Sequence, residues 1–413
     1  MGALRRTARA LGLGRLLRRL GLLPLLRRLR GREAPDDPAA RALPGVLLVG
    51  HPYGVLGVGE YLRSTAAALE AAGVPFHVRN AFDFGQELRP KHGGAFWDRL
   101  TTGRPHRVNV FQMNADEMAE ARRHLGRAFF ADRYNVACWH WELSRFPDAW
   151  RGALAGLDEL WASSRFIQAT LSAGTSLPVT WMPHPVDASG VGPLARAALG
   201  LPERAFLFVT GFDFTSYITR KNPRGALRAF QAAFPAARGE AVGLVIKVNG
   251  AALRPEDARA FRAWPELADP RVTVIDDVLD RGSLLGLWAR CDCFVSLHRS
   301  EGFGRGIAEA MLLGRPVIVT GYSGNVDFTD ADTACVVDYE LVDVKPGEYP
   351  HAEGQQWAEP DLAQAAAHMR RVFEDRTWAA ALAERGRARV EAQHGLAAAG
   401  AQARARLQVL GVL

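Results

Sequence analysis

A short apolar, strand-forming run, a loop of glycines or charges at its end, and then a helical pattern: this succession recurs along the chain and constrains its fold more than any other feature. It opens with Val46-Leu-Leu-Val49, the glycine-rich run Gly50-His-Pro-Tyr-Gly-Val-Leu-Gly-Val-Gly59 and a helical pattern from Glu60 to Ala72. Further strands are expected at Phe76 to Arg79, Val108 to Gln112, Asn135 to Trp139, Glu159 to Ala162 and Val179 to Met182, with helical spacers between most of them. Pro183-His-Pro-Val-Asp187 reads as a linker, after which the plan restarts. Phe206 to Thr210, Gly243 to Val248, Val272 to Ile275, Cys293 to Leu297 and Pro316 to Thr320 are the second set of strands; Pro223 to Phe234 and Ser283 to Ala289 are helices. Strands alternating with helices call for parallel sheets, so the expectation is an α/β protein of two Rossmann-like domains facing across a cleft.

Length agrees, since 413 residues exceed what one hydrophobic core sustains. The boundaries read as a basic tail and linker over 1–43, an N-terminal domain over 44–187, a C-terminal domain over 188–385, and a helical segment over 386–413. The formal net charge of +7 is misleading on its own. Residues 1–32 hold ten arginines and no acid, so the rest of the chain nets −3, and charge argues against a nucleic-acid partner. The leucines and arginines of that tail interleave from Leu11 to Leu20. They suit either a basic amphipathic helix on an anionic membrane surface or a disordered extension. Pro24 and the arginines after Leu26 argue against a secretory signal, and no run of about 18 apolar residues offers a membrane span. Cys138, Cys291, Cys293 and Cys335 show no paired metal spacing, and buried thiols in a reducing cytosol are expected.

The chemistry concentrates in Ser296-Leu-His-Arg-Ser-Glu301-Gly-Phe-Gly-Arg-Gly-Ile-Ala-Glu309-Ala-Met311. A strand end, a loop with Gly302, Gly304 and Gly306 and a helix start would turn backbone N–H groups and a positive helix end towards an anion such as a diphosphate. Glycines alone also make an ordinary tight turn. The two glutamates decide the matter: with Gly314-Arg-Pro-Val-Ile-Val-Thr-Gly-Tyr-Ser-Gly-Asn325, the segment resembles the Glu-x7-Glu signature of the retaining group-1 glycosyltransferase family, which has the GT-B architecture. The resemblance covers about residues 44 to 385 and is strongest from Phe206 to Asp330.

That resemblance implies roles. Glu309 would hydrogen-bond the ribose of a nucleotide-sugar donor, while Glu301 and the amides of Gly302, Phe303 and Gly304 would contact the transferred sugar. Arg220 and Lys221, in Phe212-Asp-Phe-Thr-Ser-Tyr-Ile-Thr-Arg-Lys-Asn-Pro223, would neutralise the departing diphosphate. The arginine that relatives place several residues before the lysine is not found here, so Lys247 is considered as a substitute, and Arg220 has the alternative of facing solvent. Gly57 and Gly59 belong to a loop that would bring backbone amides close to the donor phosphate or acceptor, or else make a tight turn without a ligand. Cys138-Trp-His-Trp-Glu-Leu-Ser-Arg-Phe-Pro147 resembles a subgroup's Trp-x-Trp-Glu-Leu segment, with His140 and Glu142 either at the sugar or packed and hydrogen-bonded. Trp357 to Asp361 is expected to open a late helix.

The implied activity is a retaining, metal-independent hexosyltransferase, with a nucleoside-diphosphate sugar as substrate and no cofactor. The implied acceptor is a glycan or a lipid-linked hydroxyl in cell-surface polysaccharide synthesis, at the cytoplasmic side of the membrane. A sugar-nucleotide epimerase or phosphorylase of the same fold, and a non-catalytic binding subunit, are the competing readings.

Overall fold

The computed structural model describes residues 43–54, 57–82 and 95–413, so the arginine-rich tail and its membrane expectation lie outside the described residues. Two six-stranded parallel sheets form the two domains. The first contains β1 (Leu43–Gly50), β2 (Phe76–Asn80), β3 (His106–Gln112), β4 (Tyr134–Cys138), β5 (Glu159–Ala162) and β6 (Val179–Trp181), in the order β2-β1-β3-β4-β5-β6. The second contains β7 (Phe206–Asp213), β8 (Val242–Asn249), β9 (Val272–Ile275), β10 (Cys293–Ser296), β11 (Val317–Thr320) and β12 (Cys335–Val337), in the order β12-β11-β10-β7-β8-β9.

Apolar clusters lie on both faces of each sheet. Leu47, Val49 and Phe111 face one layer of the first sheet, and Val46, Leu48 and Val110 the other. Phe208, Leu244 and Val295 divide in the same way from Val209, Val245 and Phe294 in the second. Burial on both faces is the reason these strands carry continuous apolar runs. All four cysteines are unpaired and buried, and burial pushes the Cys138, Cys291 and Cys335 thiols up to about 12.

Three features depart from the expectations. Trp357 to Pro360 does not open a helix. It lies in β14 (Gln356–Pro360), which pairs antiparallel with β13 (Tyr339–Asp343), and Asp361 is the cap of the helix that follows, accepting from the amides of Ala363 and Gln364. The strand β12 was not foreseen. The helix Arg376–His394 runs unbroken across residue 385, and the last helix, Leu396–Val409, crosses back to pack on Gly57–Ala71 of the first domain. Gly400 makes that approach tight, since a Cβ there would sit 2.1 Å from the Ala68 carbonyl oxygen. The chain therefore passes between domains twice. The two passages lie side by side, with the Val186 amide donating to the His394 carbonyl at 2.8 Å. Among the described residues, no helix is long and apolar enough to cross a membrane.

Candidate functional site

In the second sheet the strand order reverses between β7 and β10, and a crevice at the carboxyl ends of strands is where such sheets place ligands. The loops leaving these two strands carry the charged residues singled out above. After β7, Asp213 caps a short turn by accepting from the Thr215 amide, and a single helical turn, Ile218–Lys221, follows. Asn222 ends it in the left-handed region at φ 48°, which asparagine tolerates better than most residues. Its side chain then caps the next helix by accepting from the Gly225 amide, with Pro223 in the first turn, and donates to the Leu297 carbonyl at 2.8 Å. Asparagine and proline at this point thus fasten the Arg220-Lys221 turn to the end of β10.

From the β10 side, the Arg299 amide donates to the Arg220 carbonyl at 2.8 Å, and the Glu301 amide donates to Ser323 Oγ at 2.8 Å. Glu301 is thereby set against both cations. Its carboxylate pairs with Lys221 Nζ and lies 3.2 Å from Arg220 Nη1, which also donates to the Ser300 carbonyl at 2.8 Å. Arg220 is 3% exposed, which rules out the alternative that it faces solvent. Glu142 of the first domain completes the cluster, 3.8 Å from Arg220 and accepting from the Tyr349 hydroxyl at 2.5 Å.

Burial works against the Glu301 charge, yet Lys221, Arg220 and His298 outweigh it and hold the carboxyl down at about 2. Burial pulls the Lys221 ammonium below its ordinary value; Glu301 opposes this and Arg220 adds to it. Burial also weakens Arg220 as a base, but Glu142 and Glu301 prevail and its pKa is raised. A carboxyl depressed from 4.5 to about 2 contributes stability that is present above about pH 4.5 and lost as the pH falls towards about 2. Melting temperatures recorded across that window should fall more steeply for the native protein than for Glu301→Gln; parallel curves would show that the pairing contributes nothing to folding.

Glu309 stands on the helix Arg305–Leu312 and is 2% exposed. Its Oε1 accepts from Arg305 Nε at 2.6 Å and from Arg281 Nη1 at 2.7 Å, and no described protein donor reaches Oε2. Gly302 and Gly304 line the loop between the two glutamates. The Gly302 carbonyl accepts from Ser164 Oγ at 2.6 Å, and Gly304 has φ 93°, a conformation that glycine adopts without strain. The Phe303 ring stacks on His184 at 4.5 Å, and His184 stacks in turn on Tyr61 at 4.4 Å, so contact of Phe303 with a ligand falls to its backbone.

Other candidates lie elsewhere. The structure does not bring Lys247 to the Glu301 cluster. It is 2% exposed, its ammonium donates to the Val248 carbonyl and to Asn249 Oδ1, and Asp276, Asp277 and Asp213 supply its compensating charge. His140 packs edge-on to Tyr61 and 3.3 Å from Ser163 Oγ rather than among the cations, and burial lowers its pKa against the opposing charge of Glu142. Gly59 serves packing, since a Cβ there would lie 2.3 Å from the Gly54 carbonyl oxygen; at Gly57 a Cβ would meet nothing. Among the described residues, no group of three or more histidines, cysteines or acids is arranged to hold a metal.

Sequence reasoning missed Arg281, Arg305 and Tyr349. Only Arg305 left a signal, standing four residues before Glu309 on one helix face.

Residues 213–344 match the family described as "Glycosyl transferases group 1". No curated protein sequence matches the chain. Among solved structures, HepE of Anabaena in complex with UDP and glucose superimposes with a TM-score of 0.63 at 15% identity, covering 89% of this chain and 100% of that one. Sucrose-phosphate synthase from Thermosynechococcus elongatus gives 0.60 at 16%, with coverage of 89% and 100%. A glycosyltransferase from Rickettsia africae gives 0.61 at 14%, with 89% and 98%. With its two parallel α/β domains matching these structures, the chain has the GT-B fold, and its residues 213–344 are similar to group 1 glycosyl transferases.

Proposed function

We propose that this protein transfers a hexose-type sugar from a nucleoside-diphosphate sugar to a hydroxyl of a glycan or lipid-linked acceptor, with retention of configuration and without a metal, in cell-surface polysaccharide assembly at the cytoplasmic face of the membrane. The observation that carries this reading is the pairing of Lys221 and Arg220 with Glu301 at the switch point of the second sheet, inside a matched group 1 domain. Two cations held there are suited to a diphosphate whose charge grows as it departs. HepE, with the same fold, is described in complex with UDP-glucose, which supports a nucleotide-sugar donor.

In this reading the bond from the anomeric carbon to the β-phosphate oxygen breaks, and the acceptor oxygen bonds to the same face of the sugar. The acceptor proton passes to the departing phosphate oxygen. Lys221 and Arg220 stabilise the charge left on the diphosphate. Glu309, its Oε1 pinned by two arginines, keeps Oε2 for the ribose hydroxyls.

Thermal-shift measurements with UDP-, GDP- and ADP-sugars test the reading. A donor at about 100 times its dissociation constant stabilises by about 2.7 kcal/mol, a shift readily seen in a melt. Stabilisation by none of them in the presence of EDTA counts against it, and donor turnover that needs no acceptor would favour an epimerase or phosphorylase.

A further inference from the structure

The charges around Glu309 do not stop at the cleft wall. Arg305 and Arg281 of the second domain both reach Glu60, in the first turn of the helix Gly57–Ala71 of the first domain. Arg305 Nη2 lies 3.2 Å and Arg281 Nε 3.5 Å from its Oε1. The other oxygen of Glu60 accepts from Arg63 Nε at 3.0 Å and Nη2 at 2.6 Å. Arg63 in turn donates to the carbonyls of Pro52 at 3.1 Å and Gly54 at 2.8 Å, in the glycine-rich loop.

Three arginines therefore face two carboxylates, an excess of one positive charge in a largely covered place. Arg281 is anchored from behind, its Nη2 donating to the Asp187 carbonyl at 2.7 Å. Arg305 Nη1 is buried and has no acceptor among the described residues. A buried guanidinium nitrogen without a partner costs free energy that an incoming anion would recover. Arg305 also begins the helix that follows the glycine loop, where the positive end of the helix adds to its charge. Besides Glu309, which holds its Nε, this arginine meets the Glu60 carboxylate through Nη2, an anion of the size and charge a phosphate oxygen pair presents.

Resting on the nucleotide-sugar reading above, we propose that Arg305 and Arg281 form a second cationic contact for the donor diphosphate, and that Glu60 occupies this contact as an internal counter-anion that the donor displaces. The contact supplies the positive charge that Lys247, turned away towards its own aspartates, does not bring. Displacing Glu60 frees it with Arg63, and through Arg63 the backbone at Pro52 and Gly54 of the facing domain. Binding of the diphosphate is thereby coupled to the interface between domains. The nucleoside part of the donor has no part in the exchange.

Binding of UDP, GDP and ADP, and of the three nucleosides without phosphate, should be measured by calorimetry on the full chain and on two variants with unchanged melting temperature. Glu60→Gln, which keeps size and removes the competing charge, should bind the preferred diphosphate about tenfold more tightly and its nucleoside with unaltered affinity. Arg305→Met should weaken the diphosphate about tenfold more than it weakens the nucleoside, whose smaller loss reflects the hold of Arg305 on Glu309. If Glu60→Gln binds the diphosphate no more tightly than the native protein, Glu60 is no competitor and the proposal is wrong. It is equally overturned if Arg305→Met weakens nucleoside and diphosphate alike, since Arg305 would then act only by positioning Glu309. Failure of the native protein to bind any of the diphosphates would instead remove the nucleotide-sugar reading, and this proposal with it.

Discussion

Lys221→Ala should lower turnover by roughly 10²–10³ while changing the donor KM much less, the pattern left by losing a charge that matters chiefly as the leaving group departs. The structure explains why this lysine rather than its neighbour is expected to dominate. Arg220 is held by the Ser300 carbonyl and by Glu301, with Glu142 nearby, and is almost fully covered. Lys221 has the Glu301 carboxylate as its side-chain partner and keeps about a fifth of its side chain accessible. A compact ammonium on a flexible stem can leave a carboxylate and follow a moving phosphate, whereas a guanidinium fixed at several points serves as a stationary charge. Steady-state kinetics of the folded variant will decide, and Lys221→Arg should recover part of the rate. A near-normal turnover number in Lys221→Ala would transfer the role to Arg220.

Arg406→Ala should destabilise the protein by about 3–5 kcal/mol, measured by urea unfolding, though it lies far in sequence from every residue of the site. Its guanidinium holds Glu159, which is 0% exposed in β5, through Nε at 2.9 Å and Nη2 at 2.8 Å. Tyr134, Trp161 and Thr180 also donate to this carboxylate, but none of them carries a compensating charge. Removing the arginine leaves the covered carboxyl of Glu159 inside the first domain with only dipoles around it. The double variant Arg406→Met, Glu159→Met should lose less than Arg406→Ala, because the charge to be compensated is gone as well. A loss under about 1 kcal/mol in the single variant would mean that the pair behaves as an ordinary surface ion pair.

The two large predictions differ in how far sequence could lead to them. Lys221 was legible because it follows a strand and precedes an Asn-Pro helix start, and both ends of the match are local. The strands were legible for a related reason: burial on both sides makes each a continuous apolar run. The hairpin of β13 and β14 was not, because β13 is mostly exposed and its Tyr-Glu-Leu-Val-Asp reads as neither a core strand nor a helix. Arg406 and Glu159 are 247 positions apart, and Arg305 and Glu60 245 apart. No periodicity connects such pairs, since they meet only once the whole chain has folded. The last helix, rich in alanine with two arginines near its end, carries no stripe that would announce which domain it joins.

The paired passages of the chain have a mechanical consequence. Joined by the bond from Val186 to His394, they form a single short pin between the domains. Sliding one domain past the other would shear that bond, whereas swinging about the pin preserves it. Displacement in a swing grows with distance from the axis. Phe303, stacked on His184 beside the pin, would scarcely travel, while loops at the outer rim would travel farthest. A lever built in this way moves the outer rim of the domains most and the inner end of the Glu301–Glu309 loop least.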